Sequence, residues 1–240
     1  MIPNSTPSPP RCFALVPAAG VGERAAQGRP KQYVELVGRT VVAHSADALM
    51  QVPALAAVLV VLAPQDGAFE AAAPMFVGPR AWVARCGGAT RADTVAAGLQ
   101  ALRERGARDE DWVLVHDAAR CLLRPEWVQN LIEACVDDAV GGLLAMPVAD
   151  TLKHGPGQRA QRTVDRRDAW AAQTPQMFRL GLLERALREA KTQGVVVTDE
   201  ASAIEALGLR PLLVPCSMEN LKVTLPQDFA LAERLLRSRA

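Results

Sequence analysis

The apolar run Cys12 to Pro17 opens into Pro17-Ala18-Ala19-Gly20-Val21-Gly22-Glu23-Arg24. Side chains this small let backbone N–H groups approach an anion closely, so the segment is a candidate nucleotide-phosphate loop. Two cations stand beside it, Arg24 and Lys31, the second within Pro30-Lys31-Gln32. A glycine loop flanked by two positive charges suits a triphosphate, although most lysines and arginines simply face solvent. Gly20, Gly22 and Ala25 also satisfy the G-x-G-x-x-G/A spacing of dinucleotide-binding folds. A dehydrogenase further requires an acidic residue ending its second strand, but Val58 to Ala63 runs into Pro64 and Gln65, and Asp47 lies in a helical pattern. A Walker-type loop is excluded because no Gly-Lys-Ser/Thr occurs. Further along, Asp117 follows the apolar run Trp112 to His116, where open α/β sheets place their ligands. On sequence alone it serves equally well as a brace for the following turn.

The elements that must position these residues alternate. Short apolar runs at Cys12 to Pro17, Val58 to Ala63, Ala81 to Arg85, Trp112 to His116, Gly142 to Pro147 and Leu212 to Pro215 read as strands, several of them buried on both faces. Amphipathic stretches at Val41 to Met50, Arg91 to Arg105, Pro125 to Asp138, Leu180 to Gln193, Glu200 to Leu207 and Gln227 to Arg237 read as helices. This is the pattern of an α/β fold with a mostly parallel sheet. From Val148 to Asp168 the rhythm breaks into Gly, Pro, Lys153, His154 and a cluster of arginines, which reads as either a protruding hairpin arm or a surface loop.

A chain of 240 residues, 50% hydrophobic and 22% charged, supports one full-sized domain over 12–240 after a Pro/Ser-rich lead-in, 1–11, expected to be disordered. The formal charge of +1 advertises neither nucleic acid nor an anionic membrane as partner. No apolar run approaches membrane-spanning length, and Met1 to Arg11 lacks the features of a signal peptide. Five scattered cysteines without a C-x-x-C pair predict a reducing, cytoplasmic setting and no protein-built metal site.

The loop and Pro30-Lys31-Gln32 together resemble the signature of sugar-nucleotide-type nucleotidyltransferases. Gly87-Gly88-Ala89-Thr90-Arg91-Ala92-Asp93-Thr94-Val95, Val115-His116-Asp117-Ala118-Ala119-Arg120, Asp150-Thr151, Thr163-Val164-Asp165-Arg166, Gln173-Thr174-Pro175-Gln176, Thr198-Asp199-Glu200-Ala201-Ser202 and Asn220-Leu221-Lys222-Val223-Thr224 narrow the likeness. In that order they resemble the motifs of the 2-C-methyl-D-erythritol 4-phosphate cytidylyltransferase family, over about Cys12 to Leu236. The resemblance implies a Rossmann-like nucleotidyltransferase sheet with helices on both faces and a projecting β-arm at about 148–168, exchanged within a homodimer. It places Ala18, Ala19, Gly20 and Gly22 along the CTP phosphates and ribose, and Gly88, Arg91 and Thr94 around the cytosine, with Asp117 and Ala118 also lining the nucleotide. It assigns Asp117, Arg120, Thr151, Arg166, Thr198 and Lys222 to the acceptor, Thr151 and Arg166 coming from the partner's arm. Thr198 and Asp199 also precede a helix, where capping is the commoner use. Three positions depart from the family pattern: Thr94 replaces serine but keeps the hydroxyl, Ala89 lacks a polar side chain, and Cys121 replaces proline.

The expected reaction is direct in-line attack by the acceptor phosphate on the α-phosphorus of CTP, releasing pyrophosphate. Arg24, Lys31 and Lys222 are the expected catalytic residues, and Mg²⁺ is expected as cofactor, held mainly by the CTP phosphates. The alternatives are a ribitol 5-phosphate cytidylyltransferase, which shares most CTP motifs, and a non-catalytic nucleotide-binding module.

Overall fold

Alternate side chains of β1 (Cys12–Pro17) serve opposite faces of one sheet. Ala14 and Val16 pack with Val42, Ala46, Leu49, Val128 and Leu131, whereas Phe13 and Leu15 pack with Val95, Leu99, Leu102, Leu183 and Leu187. A strand apolar at every position is therefore sandwiched between helices, which is what a buried parallel sheet requires. The computed structural model describes residues 8–20 and 30–239.

After β1 come the short strands β2 (Glu35–Leu36) and β3 (Arg39–Thr40), α1 (Val41–Met50), β4 (Leu55–Val61) and α2 (Phe69–Ala72). Next are β5 (Ala81–Ala84), α3 (Arg91–Glu104), β6 (Trp112–Val115), α4 (Pro125–Cys135) and β7 (Gly141–Pro147). Then follow β8 (Leu152–His154), β9 (Arg162–Val164), β10 (Trp170–Arg179), α5 (Leu180–Gln193), α6 (Glu200–Ala206), β11 (Leu212–Pro215) and α7 (Pro226–Arg237). Among the described residues, seven strands form the main sheet in the order β11-β7-β10-β6-β1-β4-β5. All neighbours are parallel except β10, which runs antiparallel to both β6 and β7. The α/β class and the mostly parallel sheet expected from the sequence are those observed.

The periodicity reading misses β10 altogether. Gln173, Thr174, Pro175 and Gln176 are polar or ring-closed residues that argue against an interior strand. Pro175 is accommodated because the β10–β7 register breaks between Ala172 and Gln176, so no ladder N–H is demanded there. The same break turns Gln173 and Thr174 toward the end of the sheet where the cleft lies. The brief helix α2, a single turn, is also absent from the sequence reading.

At the N-terminal end, residues 8–11 are held rather than loose. Arg11 donates from its backbone N to Asp111 Oδ1 at 2.8 Å and from Nη2 to Asp111 Oδ2 at 2.7 Å, while Arg108 Nη2 reaches the Ser8 carbonyl at 3.1 Å. Composition does not register these long-range partners; residues 1–7 of the expected lead-in lie outside the described residues. Between Pro147 and Trp170, β8 and β9 pair as an antiparallel hairpin with a sheet of its own, and most of its residues are exposed.

Candidate active site

One wall of the cleft is backbone and small side chains. β1 ends at Pro17, and Ala18 N donates to the Val61 carbonyl at 2.8 Å, continuing the ladder into the loop. Gln32 then ties that loop down, its Nε2 donating to the carbonyls of Ala18 at 3.2 Å and Gly20 at 3.0 Å. The turn after β5 closes against it: a Cβ on Gly87 would lie 2.2 Å from the Ala19 Cβ, so only glycine lets the two loops meet. Thr90 caps α3 by accepting from Asp93 N at 3.0 Å. Thr94 Oγ1 accepts from Gly88 N at 3.2 Å and donates to the Thr90 carbonyl at 2.9 Å, holding the Gly87–Gly88 turn on the helix. These segments line a cavity of about 760 Å³, together with Lys31, Ala89, Arg91, Asp117, Ala118, Ala119 and Lys222.

The opposite wall is a network of buried charge. Asp117, just beyond β6, accepts from Arg91 Nε on Oδ1 at 2.9 Å and from Lys222 Nζ on Oδ2 at 2.8 Å. Burial alone would raise its carboxyl, but Arg91 and then Lys222 outweigh that and hold it well below the usual carboxylate range. It is therefore ionised throughout the neutral range. Arg120 donates from Nη1 to the Asn220 carbonyl at 2.7 Å and from Nη2 to the Ala172 carbonyl at 3.3 Å, leaving its buried Nε without a hydrogen-bond partner, 3.9 Å from Asp117 Oδ2. A smaller cavity of about 180 Å³ adjoins the first and is lined by Arg91, Asp117, Arg120, Gln173, Thr174, Gln176, Thr198, Asp199 and Lys222. The two share Arg91, Asp117 and Lys222.

Behind this wall sits His116, fully buried. Thr174 Oγ1 accepts from Asp117 N at 3.0 Å and lies 3.0 Å from His116 Nδ1, while His116 Nε2 lies 3.2 Å from the Arg120 carbonyl. A carbonyl can only accept, so Nε2 carries the proton; Nδ1 then accepts from the Thr174 hydroxyl. Burial pushes the imidazole down to about 4, which keeps it in this neutral tautomer. Asn220 Nδ2 donates to Gln173 Oε1 at 3.1 Å and to the Thr174 carbonyl at 2.9 Å. Gln176 donates to Asp199 Oδ2 at 2.8 Å and accepts from Ala201 N at 2.7 Å, anchoring α6 to β10.

Among the residues singled out in the sequence, Ala18, Ala19, Gly20, Lys31, Gly88, Arg91, Thr94, Asp117, Ala118 and Lys222 line the larger cavity. Arg120 and Thr198 line the smaller one. Gly22, Arg24 and Ala25 lie outside the described residues. Asp199 is the N-cap of α6, accepting from Ser202 N at 2.9 Å, so capping falls to Asp199 and not to Thr198. Asp117 pairs with cations across the cleft through its carboxylate, while its backbone carbonyl braces the turn by accepting from Arg120 N at 2.9 Å. Thr151 and Arg166 line neither cavity; Arg166 donates to the carbonyls of Val148, at 3.0 Å, and Ala149, at the base of the hairpin. Gln32, Gly87, His116, Thr174, Gln176, Glu200 and Asn220 take part in the site without having been assigned to it. Each lies in a recognisable motif, but a buried polar residue announces itself only once its partners are known.

The comparisons with known proteins identify the family and the fold. A family model for 2-C-methyl-D-erythritol 4-phosphate cytidylyltransferase matches residues 12–238. A Burkholderia cenocepacia protein of that name is 50% identical over 229 residues, 95% of this chain and 96% of its own. A bifunctional enzyme IspD/IspF of Albidiferax ferrireducens is 53% identical over 240 residues, and the chain spans 56% of that relative's length. A crystal structure of 4-diphosphocytidyl-2C-methyl-D-erythritol synthase superposes with a TM-score of 0.83 at 44% identity, covering 96% of this chain and 100% of that one. The Francisella tularensis 2-C-methyl-D-erythritol 4-phosphate cytidylyltransferase superposes with a TM-score of 0.80 at 32% identity, covering 94% and 99%. A family match over residues 12–238, with relatives of this identity covered nearly end to end, makes the chain a member of the 2-C-methyl-D-erythritol 4-phosphate cytidylyltransferase family, and so a nucleotidyltransferase.

Proposed function

We propose that cytidylyl transfer in this chain, from CTP to 2-C-methyl-D-erythritol 4-phosphate, runs by direct in-line attack across the boundary between the two cavities. The observation that carries this reading is the sharing of Arg91, Asp117 and Lys222 by a larger, loop-lined cavity and a smaller, polar one. The larger takes CTP, whose phosphates lie along Ala18, Ala19, Gly20 and Gly22, with Gly88 and Thr94 toward the base. The smaller takes the acceptor, with Arg120, Thr198 and Lys222 around its polar groups. The acceptor phosphate is ionised at neutral pH and needs no general base. What remains is to bring two anions together and to stabilise the charge added at the five-coordinate phosphorus. Lys31 and Arg24 do this from the nucleotide side and Lys222 from the acceptor side. The absence of an assigned Ser–His or Cys–His pair in the motifs is in keeping with transfer in one step.

Mg²⁺ fits this cleft as an ion held chiefly by the nucleotide. Among the described residues Asp117 is the sole carboxylate lining the larger cavity, and one carboxylate with water and phosphate oxygens is a common Mg²⁺ environment. When bound, the ion would neutralise phosphate charge, and Asp117, kept ionised by Arg91 and Lys222, would be the carboxylate to face it.

The hairpin that carries Thr151 and Arg166 makes its described contacts locally and turns most of its residues to solvent. Exchange of this arm within a homodimer would deliver both residues to the partner's acceptor cavity, and a cytosolic location suits five cysteines without a paired motif.

The decisive assay is pyrophosphate release by the purified chain with Mg²⁺, offering CTP, UTP, ATP or GTP against methylerythritol phosphate and ribitol 5-phosphate. Release confined to CTP with methylerythritol phosphate is the expected outcome. Turnover with ribitol 5-phosphate instead moves the acceptor assignment, and silence with every pair rejects the catalytic reading. Sedimentation showing only monomer at micromolar concentration would reject arm exchange.

A further inference from the structure

Glu200, the first residue of α6, is 1% exposed and meets the Arg91 guanidinium end-on. Arg91 Nη1 donates to Oε1 at 2.6 Å and Nη2 to Oε2 at 3.0 Å. Arg91 is itself the first residue of α3, and its Nε is the group that donates to Asp117. A single row of alternating charge, Glu200, Arg91, Asp117 and Lys222, thus runs from the buried start of α6 to the boundary that the two cavities share. α3 carries the Gly87–Thr90 turn of the nucleotide wall, and α6 begins directly after Thr198 and Asp199 of the acceptor wall.

Helix formation does not account for this carboxylate. α6 is already capped by Asp199 and Ser202, which satisfy each other reciprocally. Nor does stability account for it, because a buried ion pair is often no better than two apolar side chains of the same volume. What the fork does provide is orientation. With both terminal nitrogens taken by Glu200, Arg91 has Nε left for Asp117 and cannot turn its fork onto that carboxylate. Asp117 Oδ2 is thereby left for Lys222 at 2.8 Å.

We propose that Glu200 is a positioning residue of the transfer, acting through Arg91 to fix Asp117 and Lys222 at the boundary where CTP and acceptor meet. The proposal rests on the in-line reading above. Loss of the Glu200 charge frees the Arg91 fork to compete with Lys222 for Asp117, and the acceptor loses its alignment while CTP keeps its loops.

The test is steady-state pyrophosphate release by the full chain, wild type against Glu200→Gln, with CTP and methylerythritol phosphate. The expected result is a kcat lower by about 100-fold, as for a displacement of about an ångström, with the KM for CTP within about threefold of wild type. Because Gln beside a buried guanidinium can simply unfold the chain, Arg91→Met/Glu200→Met provides the second arm, removing both charges and keeping the volume. It should melt near the wild-type temperature and remain slow. In an Arg91→Met background, Glu200→Gln should change kcat by less than about twofold, since the path through Arg91 is already cut. Wild-type kcat in Glu200→Gln, or in the double apolar variant, overturns the positioning role and leaves the in-line reading standing. A wild-type chain silent with CTP and methylerythritol phosphate overturns both.

Discussion

The two walls of the cleft are made of opposite materials. On the nucleotide side, Ala18, Ala19, Gly20, Gly87 and Gly88 present backbone, and the tolerance is steric: one added methyl at Gly87 meets the Ala19 Cβ at 2.2 Å. On the acceptor side, Asp117, Arg120 and Lys222 present charge, with Glu200 buried behind Arg91, and the tolerance is electrostatic: each group is held by a partner of opposite sign or by a carbonyl. A wall of backbone accepts any nucleotide phosphate that fits, whereas a wall of paired charges fixes the direction from which a second anion enters. Damage should therefore take different forms on the two sides.

The largest effect is expected where the walls meet the reacting phosphorus. Lys31→Ala should lower turnover by roughly 10² to 10³, about 3 kcal/mol of transition-state stabilisation, even with CTP saturating. Near-normal kcat in that variant would remove Lys31 from the chemistry.

A purely steric change on the nucleotide wall should act on binding. Gly87→Ala overpacks the contact with Ala19 at a cost of about 1 to 3 kcal/mol, which corresponds to a CTP KM raised roughly 5- to 150-fold. The acceptor KM should barely move. Equal increases in both constants would mean that the walls are not independent.

The acceptor wall carries instead a signature in pH. His116 is neutral in the fold, with its pKa pushed down to about 4 against an ordinary 6.5, so below pH 6.5 the unfolded chain binds a proton that the folded chain refuses. Stability should consequently rise with pH between about 4 and 6.5, by up to about 3 kcal/mol from this residue, and be fully present above that window. Denaturant melts across this range should be flatter in His116→Gln than in wild type by that amount. An unchanged pH slope would show that the His116–Thr174–Asp117 contacts are not maintained in solution.

Local chemistry wrote much of this molecule openly. The six strands read from apolar runs and the six longer helices read from their periodicity are all present, because a strand buried on both faces must be apolar throughout and a surface helix must repeat its apolar stripe. The small-residue run after β1 was equally legible as a loop, and Ala18, Ala19 and Gly20 of it line the larger cavity, while its continuation at 21–29 lies outside the described residues. β10 was not legible: Gln173, Thr174 and Gln176 are polar yet buried, and Pro175 sits where the register breaks. Their burial is favourable only because Asn220, Asp199 and His116 arrive from distant parts of the chain to satisfy them.

The sequence by itself determined six of the seven strands of the main sheet, the small-residue loop after β1 and the family. Only the tertiary structure decided that Asp117 is shared by two cavities, that His116 keeps its proton on Nε2, and that Glu200 holds Arg91. The reason is range: propensity and periodicity act between near neighbours in the chain, whereas the charge and hydrogen-bond pairing of a buried group is set by distant residues, Glu200 by Arg91, 109 positions away.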